Sequence, residues 1–264
     1  MAIYLISLLP GLMVAALSRA RDGWPLVLAT LGVAGLQHAV NVLNDVVDGE
    51  RGSDLDKAGS WLAFHRGRRS VALWHGWLSA VVGVGLGMAA LMLTHRWWVL
   101  ELAAPFVIVG LAYNLGPYPL AYTSLGEWVT GACYGPGVVL GLWLVATGTC
   151  SRVAVGLAVA FAALAMAVLL SHQPPQLLTD LAAGKRSFAV RHGVSTTTRV
   201  ATSLFLLFCV ALVVSMALAG TRFSTVLGVG LGALLSASLI GSPRPAKLLF
   251  GASLPVAMAW LAGM

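Results

Sequence analysis

Apolar stretches recur along the whole chain, near residues 2–18, 24–46, 70–94, 97–115, 122–147, 153–173, 196–219, 223–240 and 246–263. Each is close to the roughly twenty residues that a hydrocarbon core of about 30 Å requires at about 1.5 Å per helical residue. The pattern predicts an all-α membrane protein: nine transmembrane helices in one domain spanning residues 1–264, with no room for a second, soluble domain. Polar positions cluster in two longer loops, 47–70 and 174–195, whereas the alternate connections are short. The one exception to loop placement is a polar stripe inside the second apolar stretch. At about 100° per residue, Gln37, His38, Asn41, Asn44, Asp45 and Asp48 project from one face of that helix.

Composition agrees with a lipid environment. Hydrophobic residues make up 59% of the chain and charged residues 9%, with mean hydropathy +0.89, which excludes an ordinary water-soluble domain. The net charge of +7 needs no nucleic acid, because eleven of the sixteen basic residues fall in one set of alternate loops: Arg51, Lys57, Arg66, Arg68, Arg69, Lys185, Arg186, Arg191, Arg199, Arg244 and Lys247. By the positive-inside rule that face is cytoplasmic, giving an N-in, C-out orientation and chemistry on the cytoplasmic side of a bacterial or archaeal membrane. The first stretch lacks a basic n-region and reads as a span rather than a cleaved leader. Cys133, Cys150 and Cys209 show no ligand spacing and read as buried, reduced and structural. Gly83, Gly87, Gly228 and Gly232 supply small faces for close helix packing, and Trp97 and Trp98 read as interfacial belt residues.

The polar stripe carries the chemistry. A carboxylate at membrane depth costs about 2.5 kcal/mol or more on the insertion scale, so such a group faces a cavity, a partner or a metal. Two acids three residues apart, backed by asparagine amides, can hold a hard divalent cation through oxygen, and magnesium keeps part of its shell for water and a substrate phosphate. In the second loop His172-Gln173-Pro174-Pro175-Gln176 is followed by Asp180 and then by Gly184-Lys185-Arg186-Ser187, Arg191 and Gly193.

The pairing of Asn44-Asp45-x-x-Asp48 with Asp180-x-Ala-Ala-Gly184-Lys185-Arg186-Ser-x-Ala-Val-Arg191-x-Gly193 resembles the UbiA superfamily of intramembrane prenyltransferases. Within it the chain is most similar to the menaquinone branch, the 1,4-dihydroxy-2-naphthoate prenyltransferases. Asp54 after Gly52, the segment from Gly116 to Glu127, and Ala182-Ala183-Gly184-Lys185-Arg186 carry that closer likeness, which runs in register to about residue 193. The resemblance implies a nine-helix bundle around a central cavity, in which two aspartate motifs face each other and bind prenyl diphosphate through Mg²⁺ for transfer to an aromatic acceptor within the lipid bilayer. On that basis Asn44, Asp45, Asp48 and Asp180 are the metal residues, with Asn41 and Asp54 in support. Lys185, Arg186 and Arg191 are the diphosphate donors. Glu127, Tyr113, Asn114, Tyr118 and Tyr122 are candidate acceptor contacts.

The chain also departs from the family. Where relatives carry an arginine and a further aspartate before the Ala-Ala-Gly-Lys tail, this sequence has Pro175 and Gln176. Paired prolines remove two backbone donors and bend or end a helix. Gln176 offers a neutral oxygen, and His172 is a candidate partner for a rebuilt second site. Three readings stay open at this point: prenylation of a quinone precursor, a prenyl diphosphate enzyme with another acceptor or an intramolecular cyclisation, and a non-catalytic lipid-binding homologue.

Overall fold

The computed structural model describes residues 2–18, 23–52 and 59–263. Asp54, like the loop charges Arg19, Arg21 and Lys57, lies outside the described residues. Among the described residues the secondary structure is helical throughout, with no strand. The helices are α1 (Leu5–Ser18), α2 (Trp24–Arg51), α3 (Trp61–Phe64), α4 (Arg69–Thr94), α5 (Trp98–Ala112), α6 (Gly126–Ala132), α7 (Gly141–Thr147), α8 (Arg152–His172), α9 (Leu177–Ala182), α10 (Phe188–Leu218), α11 (Phe223–Ile240) and α12 (Pro245–Gly263).

Seven helical segments among the described residues are long and apolar enough to cross a membrane: Trp24–Arg51, Arg69–Thr94, Gly126–Thr147, Arg152–Ala182, Phe188–Leu218, Phe223–Ile240 and Pro245–Ala262. Two shorter apolar helices, Ala2–Ser18 and Trp98–Ala112, stand where the sequence predicts the first and fourth spans. The ends are set by local chemistry. Pro25 opens α2, where a missing N–H is harmless, and Gly52 closes it in the left-handed region (φ 78°), donating its N–H back to the Asp48 carbonyl. Ser151 caps α8 by accepting the Ala154 N–H at 3.1 Å.

Three details differ from the sequence reading. The segment between α6 and α7, Cys133–Leu140, is a π-helix containing Pro136; widening the turn is how a helix absorbs a residue that lacks an N–H and crowds the preceding carbonyl. The span expected from residue 196 begins at Phe188, with a break at Gly193 (φ 78°, ψ 164°) that only glycine adopts without strain. Cys150 is exposed rather than buried, while Cys209 is buried and Cys133 partly so; all three are free.

The helices close into a ring. α2 runs along α4, α8 along α10 and α11 along α12, and α12 returns to α1, which packs on α2. α5 leans on α6, the π segment and α7. Phe161, Phe205, Phe208, Leu157, Leu164 and Leu212 fill the α8–α10 seam, and most outward-facing large apolar residues, such as Leu234, Leu239 and Phe250, are exposed as a lipid-facing wall requires. The ring surrounds a cavity of about 860 Å³ lined by residues of α1 through α9, by Lys185 and Ser187 after α9, and by Pro245 at the start of α12.

Close approach of α2 and α4 depends on glycine. A Cβ added at Gly83 would lie 2.8 Å from both the Gly32 carbonyl oxygen and the Leu36 nitrogen, backbone atoms that cannot yield, whereas one added at Gly85 meets nothing within 4 Å. Overpacking of this kind costs about 1–3 kcal/mol. Gly83→Ala is therefore expected to lower the thermal midpoint in detergent by several degrees, and Gly85→Ala to leave it unchanged or raised. Equal midpoints for the two variants would refute the α2–α4 contact.

Candidate functional site

The polar stripe of α2 faces the cavity as its periodicity predicts. Asn41, Asn44, Asp45 and Asp48 all line it, and from the opposite side come His172 at the end of α8, Gln173 and Gln176 after it, Asp180 on α9, then Lys185 and Ser187. Two motifs far apart in sequence thus meet at one end of an apolar chamber.

Each carboxylate is held differently. Asp45 accepts the Trp61 backbone N–H at 2.6 Å, which ties the first residue of the short helix α3 to α2. Asp48 is 3% exposed; one oxygen accepts the Tyr122 hydroxyl at 2.7 Å and the other accepts the Asn44 amide at 2.7 Å. Asp180 is 2% exposed. Lys185 Nζ sits between them, 3.5 Å from Asp48 and 3.9 Å from Asp180, and 5.1 Å from the centre of the Tyr122 ring. The position of the lysine follows from local folding: its own N–H closes a turn onto the Asp180 carbonyl at 2.8 Å, with Gly184 at φ 71° supplying the reversal. One cation therefore spans the gap between the two acidic motifs.

The loop that carries Lys185 is stitched in place by Glu127. This residue is 4% exposed and accepts three donors: Phe188 N–H at 2.7 Å, Gln173 Nε2 at 3.1 Å and Arg191 Nη2 at 3.0 Å. Gln173 in turn accepts the Ala189 N–H at 3.1 Å. Ser187 provides no side-chain cap for α10, so Glu127 and Gln173 act as its cap from a distance, and the negative charge complements the positive end of the helix.

The predicted site residues divide by where this folding points them. Asn41, Asn44, Asp45, Asp48, Tyr113, Glu127, His172, Gln176, Asp180 and Lys185 line the cavity. Tyr122 stands behind Asp48, and its ring also carries the Arg51 guanidinium at 4.6 Å. Asn114 is buried and donates to the Val40 carbonyl at 2.7 Å, joining α5 to α2. Tyr118 is 84% exposed. Arg186 is exposed, its N–H bonded to the Tyr122 carbonyl at 3.0 Å, and Arg191 is turned onto Glu127 and the Arg186 carbonyl. Of the three cations assigned to diphosphate, Lys185 alone lines the cavity.

Ser187 and Gln173 stand at the candidate site although the sequence reading did not single them out. Ser187 lines the cavity, and its Oγ is buried with no hydrogen-bond partner among the described residues. A buried hydroxyl left without a partner is costly, and its place on the cavity wall suits a donor to the oxygen of a bound ligand.

No group of three or more His, Cys, Asp or Glu among the described residues is gathered closely enough to hold a metal ion by itself. The oxygen set of Asn44, Asp45, Asp48 and Asp180 nevertheless suits a hard divalent ion that completes its shell with phosphate and water, the ordinary coordination of magnesium.

The Glu127 clamp makes its own claim on stability. Glu127→Ala removes the acceptor of one buried amide and one buried backbone N–H, at about 1–3 kcal/mol for each group left unsatisfied. Hydrogen exchange across residues 183–192 is expected to accelerate by about tenfold or more, with little change in α11 and α12; unchanged exchange in that segment would show that the clamp does not hold the loop.

Comparison with known proteins agrees with this architecture. The model of the UbiA prenyltransferase family matches residues 4–248. The chain is 30% identical over 185 residues to the 1,4-dihydroxy-2-naphthoate octaprenyltransferase of Mycobacterium tuberculosis, covering 68% of this chain and 62% of that protein. It is also 30% identical over 169 residues to the 2-carboxy-1,4-naphthoquinone phytyltransferase of Synechocystis, covering 62% and 53%. The chain therefore matches under two thirds of the length of these curated relatives. Among solved structures, a UbiA homolog from Archaeoglobus fulgidus bound to DMAPP and Mg²⁺ superposes with a TM-score of 0.67 at 16% identity, over 99% of this chain and 94% of that one. With its helical ring, its two facing acidic motifs and a family match across nearly its whole length, this chain belongs to the UbiA prenyltransferase family.

Proposed function

We propose that this protein transfers a prenyl group from a prenyl diphosphate to an aromatic quinone-precursor acceptor within the membrane, with magnesium as cofactor. The observation that carries the reading is the Lys185 ammonium placed between Asp48 and Asp180 in the mouth of an apolar cavity. Ionising a carbon–oxygen bond to diphosphate requires fixed positive charge where the departing negative charge develops. Lys185 supplies part of that charge. Ser187 Oγ offers a donor to a phosphate oxygen, and Tyr122 and Asn44 hold the Asp48 carboxylate with both oxygens oriented. When bound, magnesium at Asn44, Asp45, Asp48 and Asp180 neutralises further charge on the leaving diphosphate.

The rest of the cavity suits the other substrate parts. Its size lies within the range of about 300–1,000 Å³ usual for ligand sites, and its walls are apolar: Leu36, Val40, Val84, Met88, Phe106 and Leu142 among them. Such walls accept an isoprenoid tail and exclude the water that would quench an allylic cation. Tyr113 and His172 stand close enough to the charged end to orient an aromatic acceptor.

In the membrane the two shorter helices complete nine spans, N-in and C-out, as one domain, with the acidic motifs toward the cytoplasm of the cell. The basic loop residues near Asp48 and Asp180 support that orientation. A second reading, an acceptor other than a naphthoate, is favoured by one observation. The helix breaks after His172 into a 3₁₀ turn at Pro174–Gln176 before α9, so the neutral Gln176 and His172 stand at the cavity wall, and Pro175 and Gln176 occupy the two places where the family resemblance leads one to expect an arginine and an aspartate.

The test is turnover of purified protein with magnesium, labelled prenyl diphosphates and a panel of aromatic acids. Diphosphate release is expected to depend on the acceptor, to stop in EDTA, and to fall about 100-fold or more in Asp48→Ala while the variant stays folded in detergent. Full activity in Asp48→Ala would end the assignment, and preference for a non-naphthoate acid would select the second reading.

A further inference from the structure

Tyr4, His38, His75 and His65 come from four separate places in the chain and meet in one unbroken run of hydrogen bonds. The Tyr4 hydroxyl lies 2.5 Å from His38 Nδ1, His38 Nε2 lies 2.9 Å from His75 Nε2, and His75 Nδ1 lies 3.0 Å from His65 Nε2. The inner end opens on the catalytic cavity, which Tyr4 and its neighbour Trp61 line together with Asp45. The outer end opens elsewhere: His65 lines a separate surface pocket of about 200 Å³ with Phe64, Arg66, Arg68 and Val71. Between the ends, the Trp61 ring stands edge-on to both His38 and His75, at 4.7 and 5.3 Å between centres, and Phe64 stands edge-on to Trp61 and His65.

Three histidines together raise the question of a metal. The geometry answers it, because His75 uses its two opposite ring nitrogens for its two neighbours. The rings run end to end, so their lone pairs cannot converge on one ion at the roughly 2.0–2.1 Å a zinc–imidazole bond needs. A second possibility is that the cluster only satisfies buried polar atoms. A single satisfied histidine needs one partner, whereas here both nitrogens of two successive rings are committed to a path linking two different openings.

We infer that Tyr4, His38, His75 and His65 form a proton relay that carries the acceptor's proton from the cavity to the protein surface. The inference rests on the prenyl-transfer reading above. In that step a carbon–carbon bond forms between the allylic carbon and the acceptor ring, and the carbon–oxygen bond to diphosphate breaks with its electron pair on the diphosphate. The acceptor then loses one proton, and the pair that bound it returns to the acceptor. The proton goes to the Tyr4 oxygen as the Tyr4 proton passes to His38 Nδ1, the His38 Nε2 proton to His75 Nε2, the His75 Nδ1 proton to His65 Nε2, and the His65 Nδ1 proton to solvent. One proton enters and one leaves. Each imidazole ends as its other tautomer, and each ring must then turn over to restore the starting donors and acceptors before the next turnover. Tyr4 is the member that meets substrate; the histidines act through it. The charged groups facing the run are Asp45 at the inner end and Arg66 and Arg68 at the outer end. Imidazole suits the task because each ring both accepts and donates.

The experiment uses the full chain in nanodiscs. His75→Ala cuts the middle of the run, and His65→Ala cuts its exposed end with less risk to folding. Both variants are expected to bind prenyl diphosphate as wild type does, to lose roughly tenfold or more of acceptor-dependent turnover, to gain a solvent deuterium isotope effect, and to recover turnover in tens of millimolar imidazole. Wild-type turnover in both variants, or losses that imidazole does not restore in variants that still bind prenyl diphosphate, would overturn the relay. A ¹⁵N-histidine spectrum serves as the independent readout. His65→Ala is expected to shift the ring resonances of His75 and of His38 beyond it, and unshifted resonances of both would also overturn the proposal. If wild type transfers prenyl groups to no acceptor while those resonances move together, the prenyl-transfer reading fails and takes the relay's role in it along, leaving a coupled run without that reaction.

Discussion

Charge at membrane depth governs this molecule. Burying a carboxylate in a low-dielectric surround carries a penalty of several kcal/mol unless it is paired and hydrogen-bonded, and here Asp48 and Asp180 are almost wholly inaccessible on facing sides of one chamber. Their mutual repulsion would drive the two sides apart. Lys185 between them, the Tyr122 hydroxyl and the Asn44 amide offset it. The same arrangement makes the site selective, because Asp45, Asp48 and Asp180 against the single Lys185 leave it net negative, so an anion is accommodated only with further cationic charge to balance it. A metal ion arriving with a diphosphate meets that condition.

Much of the remaining structure serves to hold that lysine and those acids in register. Close packing of α2 on α4 through Gly32 and Gly83 positions the first motif. The helix break at Pro174–Gln176 lets α9 turn Asp180 inward, and the Glu127 clamp fixes the loop between α9 and α10. Removing any of these leaves the carboxylates present but misplaced, and electrostatic catalysis depends on placement. The apolar walls matter for the same reason. They hold the isoprenoid chain in an environment it already prefers and leave the charged end as the part where recognition occurs.

Seven of the nine predicted spans and the polar face of α2 were legible in the sequence, because helical periodicity and the cost of buried charge act locally. The convergence of Asp45, Asp48, Asp180 and Lys185 was legible too, through the two motifs. What the sequence did not reveal depends on long-range geometry. The family resemblance assigns Arg191 to phosphate, yet the turn after Gly184 aims it at Glu127, and Tyr118 falls on the outside of its turn. Gln173 and Ser187 carry no distinguishing pattern; only the folded loop gives one a capping role and the other an unfilled hydroxyl. The histidine run joins residues separated by as few as ten and as many as thirty-seven positions. No periodicity connects them.

The account turns on the claim that the buried acids recognise a diphosphate together with a divalent ion. Equilibrium binding of a non-ionisable prenyl thiolodiphosphate, measured on the full chain in nanodiscs with magnesium and again in EDTA, tests that claim without requiring turnover or an acceptor. The account predicts tight binding in magnesium and a large loss of affinity in EDTA, with Asp48→Ala abolishing the difference between the two conditions. Equal affinity with and without magnesium in the wild type would contradict it.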